Sequence, residues 1–143
     1  MGTKMFLGKI SRHDLQADPD ANWFIPTYRD YTPDAATVTL LQQYIHTIQI
    51  VIYMGNWCQD CREQVPAFYK ILDGISFEEG KLLVVGMDRD KNIPGKEIPL
   101  PDIQRIPTFI VLQQGKEIGR IVEKPVISLE NDLLNILVPN RMV

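Results

Sequence analysis

Two cysteines, Cys58 and Cys61, stand three positions apart in the stretch Tyr53-Met54-Gly55-Asn56-Trp57-Cys58-Gln59-Asp60-Cys61-Arg62, and the chain has no others. Both are used by one Cys-X-X-Cys motif, so no spare pair exists in this sequence for a structural bridge, and the default chemistry is redox. Thiol–disulfide exchange needs one exposed thiolate to attack and a second thiol to release the mixed disulfide that results. The outer cysteine, Cys58, suits the first role and Cys61 the second.

The flanking residues supply the mounting. Ile48-Gln49-Ile50-Val51-Ile52-Tyr53 is rich in β-branched side chains and reads as a strand. Val65, Phe68, Tyr69 and Leu72 recur with helical spacing just beyond the motif, and Asp73-Gly74 marks an end near Leu72. A strand delivering Cys-X-X-Cys to a helix start places Cys58 at the N-terminus of that helix. There the free N–H groups and the dipole favour a thiolate. Cys61 falls one turn further in.

These residues carry a resemblance. Trp57-Cys58-Gln59-Asp60-Cys61 resembles the Trp-Cys-X-X-Cys of thioredoxin-like proteins, as a variant branch with Asp before the second cysteine. Pro66 matches the proline inside that family's active-site helix. Ile106-Pro107-Thr108 resembles its cis-proline segment, and Val111-Leu112-Gln113-Gln114-Gly115-Lys116 its strand and turn into the last hairpin. The resemblance runs from about Ile48 to the C-terminus and implies a thioredoxin-like α/β fold, a central mixed sheet flanked by helices. It also implies that Trp57 shields the dithiol and that Ile106 and Pro107 bind substrate, with the Ile106 backbone facing a substrate strand. Two departures stand out. The family's buried Asp, six residues before the first cysteine, is Ile52 here, and its Lys partner is Val84. The glycine near the end of the last strand is Glu123. Asp60 is a modulating residue, because a carboxylate beside the dithiol opposes the Cys58 thiolate by like-charge repulsion. That favours a reducing enzyme over a disulfide donor, with Arg62 acting in the opposite sense. Asp60, Glu63 or water are the candidates to take the proton of Cys61.

Residues 1–32 read as an N-terminal extension that packs on a thioredoxin-like domain of residues 33–143. Asp18-Pro19-Asp20 suggests a turn. Trp23, Phe24, Tyr28 and Tyr31 are expected to cover one side of the sheet, the sharper alternative being a wall of a substrate groove. Thr32-Pro33-Asp34 predicts a helix start with Thr32 as N-cap, continuing to about Ile45 on the apolar face of Val38, Leu41, Tyr44 and Ile45. His46 then sits at the C-terminal end. Lys81 to Met87 reads as a second buried strand. The loop from Arg89 to Arg105, with Pro94, Pro99 and Pro101, is long enough to be functional and leads straight to Ile106-Pro107. A short helical turn is expected around Pro101 to Gln104. Thr108–Leu112 and Glu117–Val122 form a hairpin, and Ser128 caps a last helix carrying Leu129, Leu133, Leu134 and Leu137.

At 143 residues with 45% hydrophobic content, the chain can bury a sizeable core as one domain. A net charge of −3 gives no nucleic-acid footprint. No apolar run approaches the roughly 18 residues a membrane span requires, and Met5-Phe6-Leu7 is too short for a signal-peptide core. The expected setting is cytoplasmic. The function expected is a thiol–disulfide oxidoreductase that reduces protein disulfides and is recycled by a reductase or another thiol donor. No cofactor is required. One competing reading is a thioredoxin-like binding or redox-sensing module without turnover. The other is a zinc site drawing on His13 and His46, disfavoured because neither has ligand spacing.

Overall fold

The computed structural model describes residues 4–19, 22–93 and 102–139. Among these residues five strands form one mixed sheet: β1 (Gly8–Lys9), β2 (Ile48–Met54), β3 (Leu82–Gly86), β4 (Thr108–Gln113) and β5 (Lys116–Val122), in the order β1-β3-β2-β4-β5. β2 runs parallel to β3 and antiparallel to β4; β1 pairs antiparallel with β3, and β5 antiparallel with β4. The helices are α1 (Arg12–Gln16), α2 (Phe24–Asp30), α3 (Ala35–Leu41), α4 (Gln59–Gly74) and α5 (Leu129–Leu137). This is the thioredoxin-like α/β arrangement read from the sequence.

Period-2 alternation explains how the sheet is buried. Ile48, Ile50, Ile52 and Met54 of β2 are wholly buried, whereas Gln49 between them is exposed. Their β4 partners Val111 and Phe109 lie on the same face, and Phe68 of α4 meets Phe109 at 4.6 Å between ring centroids. Such a pair adds about 0.5–1.5 kcal/mol beyond its buried area. The β4–β5 turn has both central residues, Gln114 and Gly115, at positive φ, the two-residue geometry that matches the twist of a hairpin. Ser128 caps α5 by accepting from the Asn131 amide.

Several local expectations are corrected. The N-cap of α3 is Asp34, not Thr32: its carboxylate accepts from the Thr37 amide at 3.0 Å and hydroxyl at 2.7 Å. The two residues before Asp34 therefore stay outside the helix. It also ends at Leu41, and His46 belongs to a separate 3-10 turn, Ile45–Thr47. Of the aromatic residues before residue 32, Trp23, Phe24 and Tyr28 meet helix α4, with Phe24 5.5 Å from Tyr69, Arg62 5.7 Å from the Trp23 ring and Lys70 5.0 Å from the Tyr28 ring, while Tyr31 reaches α5. Asp102 to Gln104 make no helical turn. Pro101, Asp20 and residues 94–100 of the proline-rich loop lie outside the described residues.

The extension is tied in at several points. Gly8–Lys9 supplies the sheet's edge strand. Arg12 donates two hydrogen bonds to Asp73 at the end of α4, at 2.8 and 2.6 Å, while its guanidinium lies over the Tyr28 and Tyr69 rings. Tyr31 donates to the buried carboxylate of Glu130 on α5.

Candidate active site

β2 ends at Met54, and Gly55 to Cys58 turn the chain into α4. Cys58 is the N-cap: its backbone is extended, and its Sγ accepts from the Cys61 amide at 3.3 Å. Side-chain acceptors favour this position because the first amides of a helix have no partner within it. Here the acceptor is a thiol, so the helix start supports a thiolate directly. Cys58 is half-buried and Cys61 wholly buried, one turn inward, where the Gly55 amide reaches its Sγ at 3.5 Å. Pro66 lies within α4 and is buried, removing one helical N–H without ending the helix.

The two thiols are driven apart in acidity. The side-chain hydrogen bond with Cys61 lowers the Cys58 pKa to about 7. Partial burial and the Asp60 charge oppose this, and the amides of Cys61 and Asp60 assist it. Burial pushes Cys61 far up, and the neighbouring Cys58 pushes it further. Near neutral pH Cys58 is therefore partly thiolate, while Cys61 stays protonated.

Around Cys58 lies an open cleft of about 480 Å³ lined by Trp57, Asp60, Lys91, Arg105, Ile106 and Glu123 among others. Trp57 is pinned over the motif, its indole Nε1 donating to the Met87 carbonyl at 3.0 Å and Arg89 lying 4.8 Å above its ring. Gly55 is required beneath it, since a Cβ there would sit 2.4 Å from the indole. The Ile106–Pro107 peptide bond is cis, and the Ile106 carbonyl stands 3.8 Å from Cys58 Sγ. Trp57, Cys58, Cys61, Asp60, Ile106 and Pro107, picked out from the sequence, therefore converge on one place.

The departures noted in the sequence take physical form here. Ile52 and Val84 are register partners on adjacent strands and are both buried, so an apolar pair occupies the place of a buried acid and its lysine. Glu63 is exposed. Asp60 pairs with Lys124 at 3.9 Å. Glu123 lines the cleft, takes positive φ and accepts from Arg105 at 3.2 Å. Its left-handed backbone is the kind of position glycine fills without cost. His13 and His46 are both exposed, and no group of three or more potential metal ligands occurs among the described residues.

Sequence reasoning missed Asn56. Its side chain is wholly buried beside the motif, accepting from the Phe6 amide at 3.0 Å and donating to the Lys4 carbonyl at 2.6 Å. Its own carbonyl accepts from Arg62 Nε at 2.6 Å. Only the position of a buried-capable amide inside an otherwise apolar loop hinted at such a role.

Comparison with known proteins follows the same lines. The Thioredoxin family model matches residues 34–134. A Dictyostelium discoideum protein named "Putative thioredoxin-5" is 28% identical over 90 residues, 63% of this chain and 82% of that one. Among solved structures, a Pseudomonas aeruginosa protein of unknown function is similar with a TM-score of 0.62 and 16% identity, over 91% of this chain and 90% of its own. An HIV epitope-scaffold is similar with a TM-score of 0.57 and 17% identity, over 91% and 82%. At these identities the two structures bear on the fold alone. No helix among the described residues is long and apolar enough to cross a membrane.

Proposed function

This chain belongs to the thioredoxin family, and on that premise we propose that it is a thiol–disulfide oxidoreductase reducing protein disulfides through Cys58 and Cys61. The observation that carries the reading is the Cys61 amide on Cys58 Sγ at a helix N-cap, with the second thiol buried directly behind.

Cys58 thiolate attacks one sulfur of the substrate disulfide. A Cys58–substrate bond forms, and the other substrate sulfur leaves as a thiolate that takes a proton from water. Cys61 then gives its proton to water and attacks Cys58 Sγ, breaking the Cys58–substrate sulfur bond. The Cys58–Cys61 disulfide forms, and the second substrate sulfur departs as a thiol. Two electrons have passed from the dithiol to the substrate, and an external dithiol donor or reductase returns them. Once Cys58 is in the mixed disulfide its charge is gone, so one cause of the high Cys61 pKa is removed at the moment Cys61 must ionise.

Trp57 covers one side of the pair, while Ile106 and Pro107 offer backbone to an extended substrate segment. Asp60 biases the dithiol toward reduction of others. A reducing compartment such as the cytoplasm suits this chemistry. One observation favours the alternative of a redox-sensing module: with Ile52 and Val84 in place of the acid and lysine, Cys61 has no buried proton acceptor on β2 or β3. Slow resolution would let mixed disulfides persist.

Insulin-reduction turnover with dithiothreitol tests the reading. Turnover lost in Cys58→Ser, with a stable mixed disulfide in Cys61→Ser, is expected for the oxidoreductase. No turnover by the intact chain, together with reversible oxidation of the dithiol, would move the assignment to the sensing module.

A further inference from the structure

The family match begins at residue 34, yet the dithiol loop is held by the chain before it. Asn56 lies two residues before Cys58 and is wholly buried. Its amide side chain takes the Phe6 N–H at 3.0 Å and gives hydrogen bonds to the Lys4 carbonyl at 2.6 Å and to Asp18 Oδ2 at 3.4 Å. Asp18 is itself buried and also accepts from Trp23 Nε1 at 3.4 Å. Arg62, in the first turns of α4, closes the other side by donating to the Asn56 carbonyl and lying 5.7 Å from the Trp23 ring. Phe6 is fixed from its far side as well: a Cβ on Gly86 would fall 1.9 Å from the Phe6 carbonyl oxygen, so the segment presses directly on the end of β3.

We propose that Asn56 is a positioning residue through which the N-terminal segment sets the reactivity of the dithiol. The loop between β2 and α4 is held on its far side by Trp57, whose indole donates to the Met87 carbonyl, and on this side by Asn56. Gly55 gives its carbonyl to the Cys58 amide at 3.0 Å and its own amide to Cys61 Sγ at 3.5 Å, so it touches both cysteines. Asn56 is the next residue, and its three side-chain contacts fix where Gly55 can stand. A side chain able to give and take hydrogen bonds at once is what this place demands: an apolar residue would leave the Phe6 amide and the Lys4 carbonyl without their partners on the part-buried side of the loop, and would strip the wholly buried position 56 of its ties to the N-terminal segment. Released from the clasp, the loop would let Cys58 drift from the N-cap position and lose the Cys61 amide. The extension is therefore a working part of the site, although the residues that do the chemistry all lie beyond it.

The inference builds on Cys58 as the attacking thiol but is read from ionisation alone, so it can fail separately from the exchange reading. Thiolate absorbance against pH is measured on the reduced, full-length chain and on Asn56→Ala, Phe6→Ala and Phe6→Pro. Phe6→Pro removes the amide that Asn56 accepts; Phe6→Ala removes only the ring. The Cys58 midpoint is expected to rise by about one unit toward the ordinary thiol value in Asn56→Ala. Phe6→Pro should move it further than Phe6→Ala does. Midpoints that stay at the parent value in folded Asn56→Ala, even with a lowered melting temperature, would reduce Asn56 to a packing residue and overturn the proposal. Should Asn56→Ala not fold, the Phe6 pair decides: equal midpoints in Pro and Ala overturn it. A parent chain inactive on insulin would sink the exchange reading while leaving this comparison intact.

Discussion

The Cys61 amide donates to Cys58 Sγ at 3.3 Å, so the backbone of one cysteine helps to ionise the side chain of the other. In the proposed exchange one residue thereby serves both halves: its N–H supports the thiolate, and its own buried thiol waits protonated. The separation follows from helix geometry, because the N-cap side chain faces the amide of the third helical residue.

Alkylation should report this directly. With the Cys58 pKa lowered to about 7, its reaction rate should climb with pH through neutrality and level off above it. Cys61 should stay unlabelled over the same range, since burial holds it protonated. Peptide mass spectrometry after a brief pulse checks both; label mainly on Cys61 would reverse the two roles.

Trp57 should sense the redox state. Its indole is fixed by Met87 and Arg89 immediately beside Cys58, so closing a disulfide changes the quencher next to a ring that cannot move away. Trp23 is buried against Asp18 and contributes background, so the comparison belongs in Trp23→Phe. Identical emission spectra before and after oxidation would count against this geometry.

Tyr31→Phe should destabilise the whole fold although it lies far from the dithiol in sequence. Tyr31 and the Asp34 amide, the latter at 2.7 Å, together satisfy Glu130, a carboxylate that is only 3% exposed. Removing one donor from a buried carboxylate costs about 1–3 kcal/mol. A urea midpoint lowered with unchanged slope is the expected result; an unchanged midpoint would mean that solvent replaces Tyr31 without cost.

The strand–motif–helix core was legible because its signals are local. β-branched alternation marks β2, helical spacing marks α4, and Ser128 marks the start of α5. What escaped depended on contacts between distant residues. Gly8–Lys9 is a two-residue strand whose identity comes from its register with Val85 and Gly86, which no propensity encodes. Helix α2 has Pro26 in its first turn, where proline is tolerated, and is held by packing on α4. Thr32 and Asp34 are both good caps, and the choice fell to Asp34, which places its amide on Glu130 almost a hundred residues away. Asn56 carries no motif at all. Its role exists only once Lys4, Phe6 and Asp18 have come to it.

Asp60 opposes the Cys58 thiolate by charge while its amide favours it, and Lys124 stands 3.9 Å from the carboxylate. The pair is largely exposed on the lysine side, so Lys124 screens Asp60 only in part. Asp60→Asn should lower the Cys58 midpoint by roughly half a unit, since the repulsion goes and the amide stays. Lys124→Gln should shift it upward, by a smaller amount, because the carboxylate then acts unscreened. The two changes are coupled: Asp60→Asn should have a larger effect in the Lys124→Gln background than alone, the excess measuring the screening. A stabler thiolate stabilises the reduced dithiol, so Asp60→Asn should also make the potential less negative, by about 15 mV for half a unit. Single-turnover release of a trapped substrate separates the remaining possibility, that Asp60 serves as proton acceptor for Cys61 in place of the acid absent at Ile52. Slower release in Asp60→Asn with the first attack intact would assign it that role. An unmoved midpoint, potential and release rate would leave Asp60 an ordinary surface charge and remove the main support for a reducing bias.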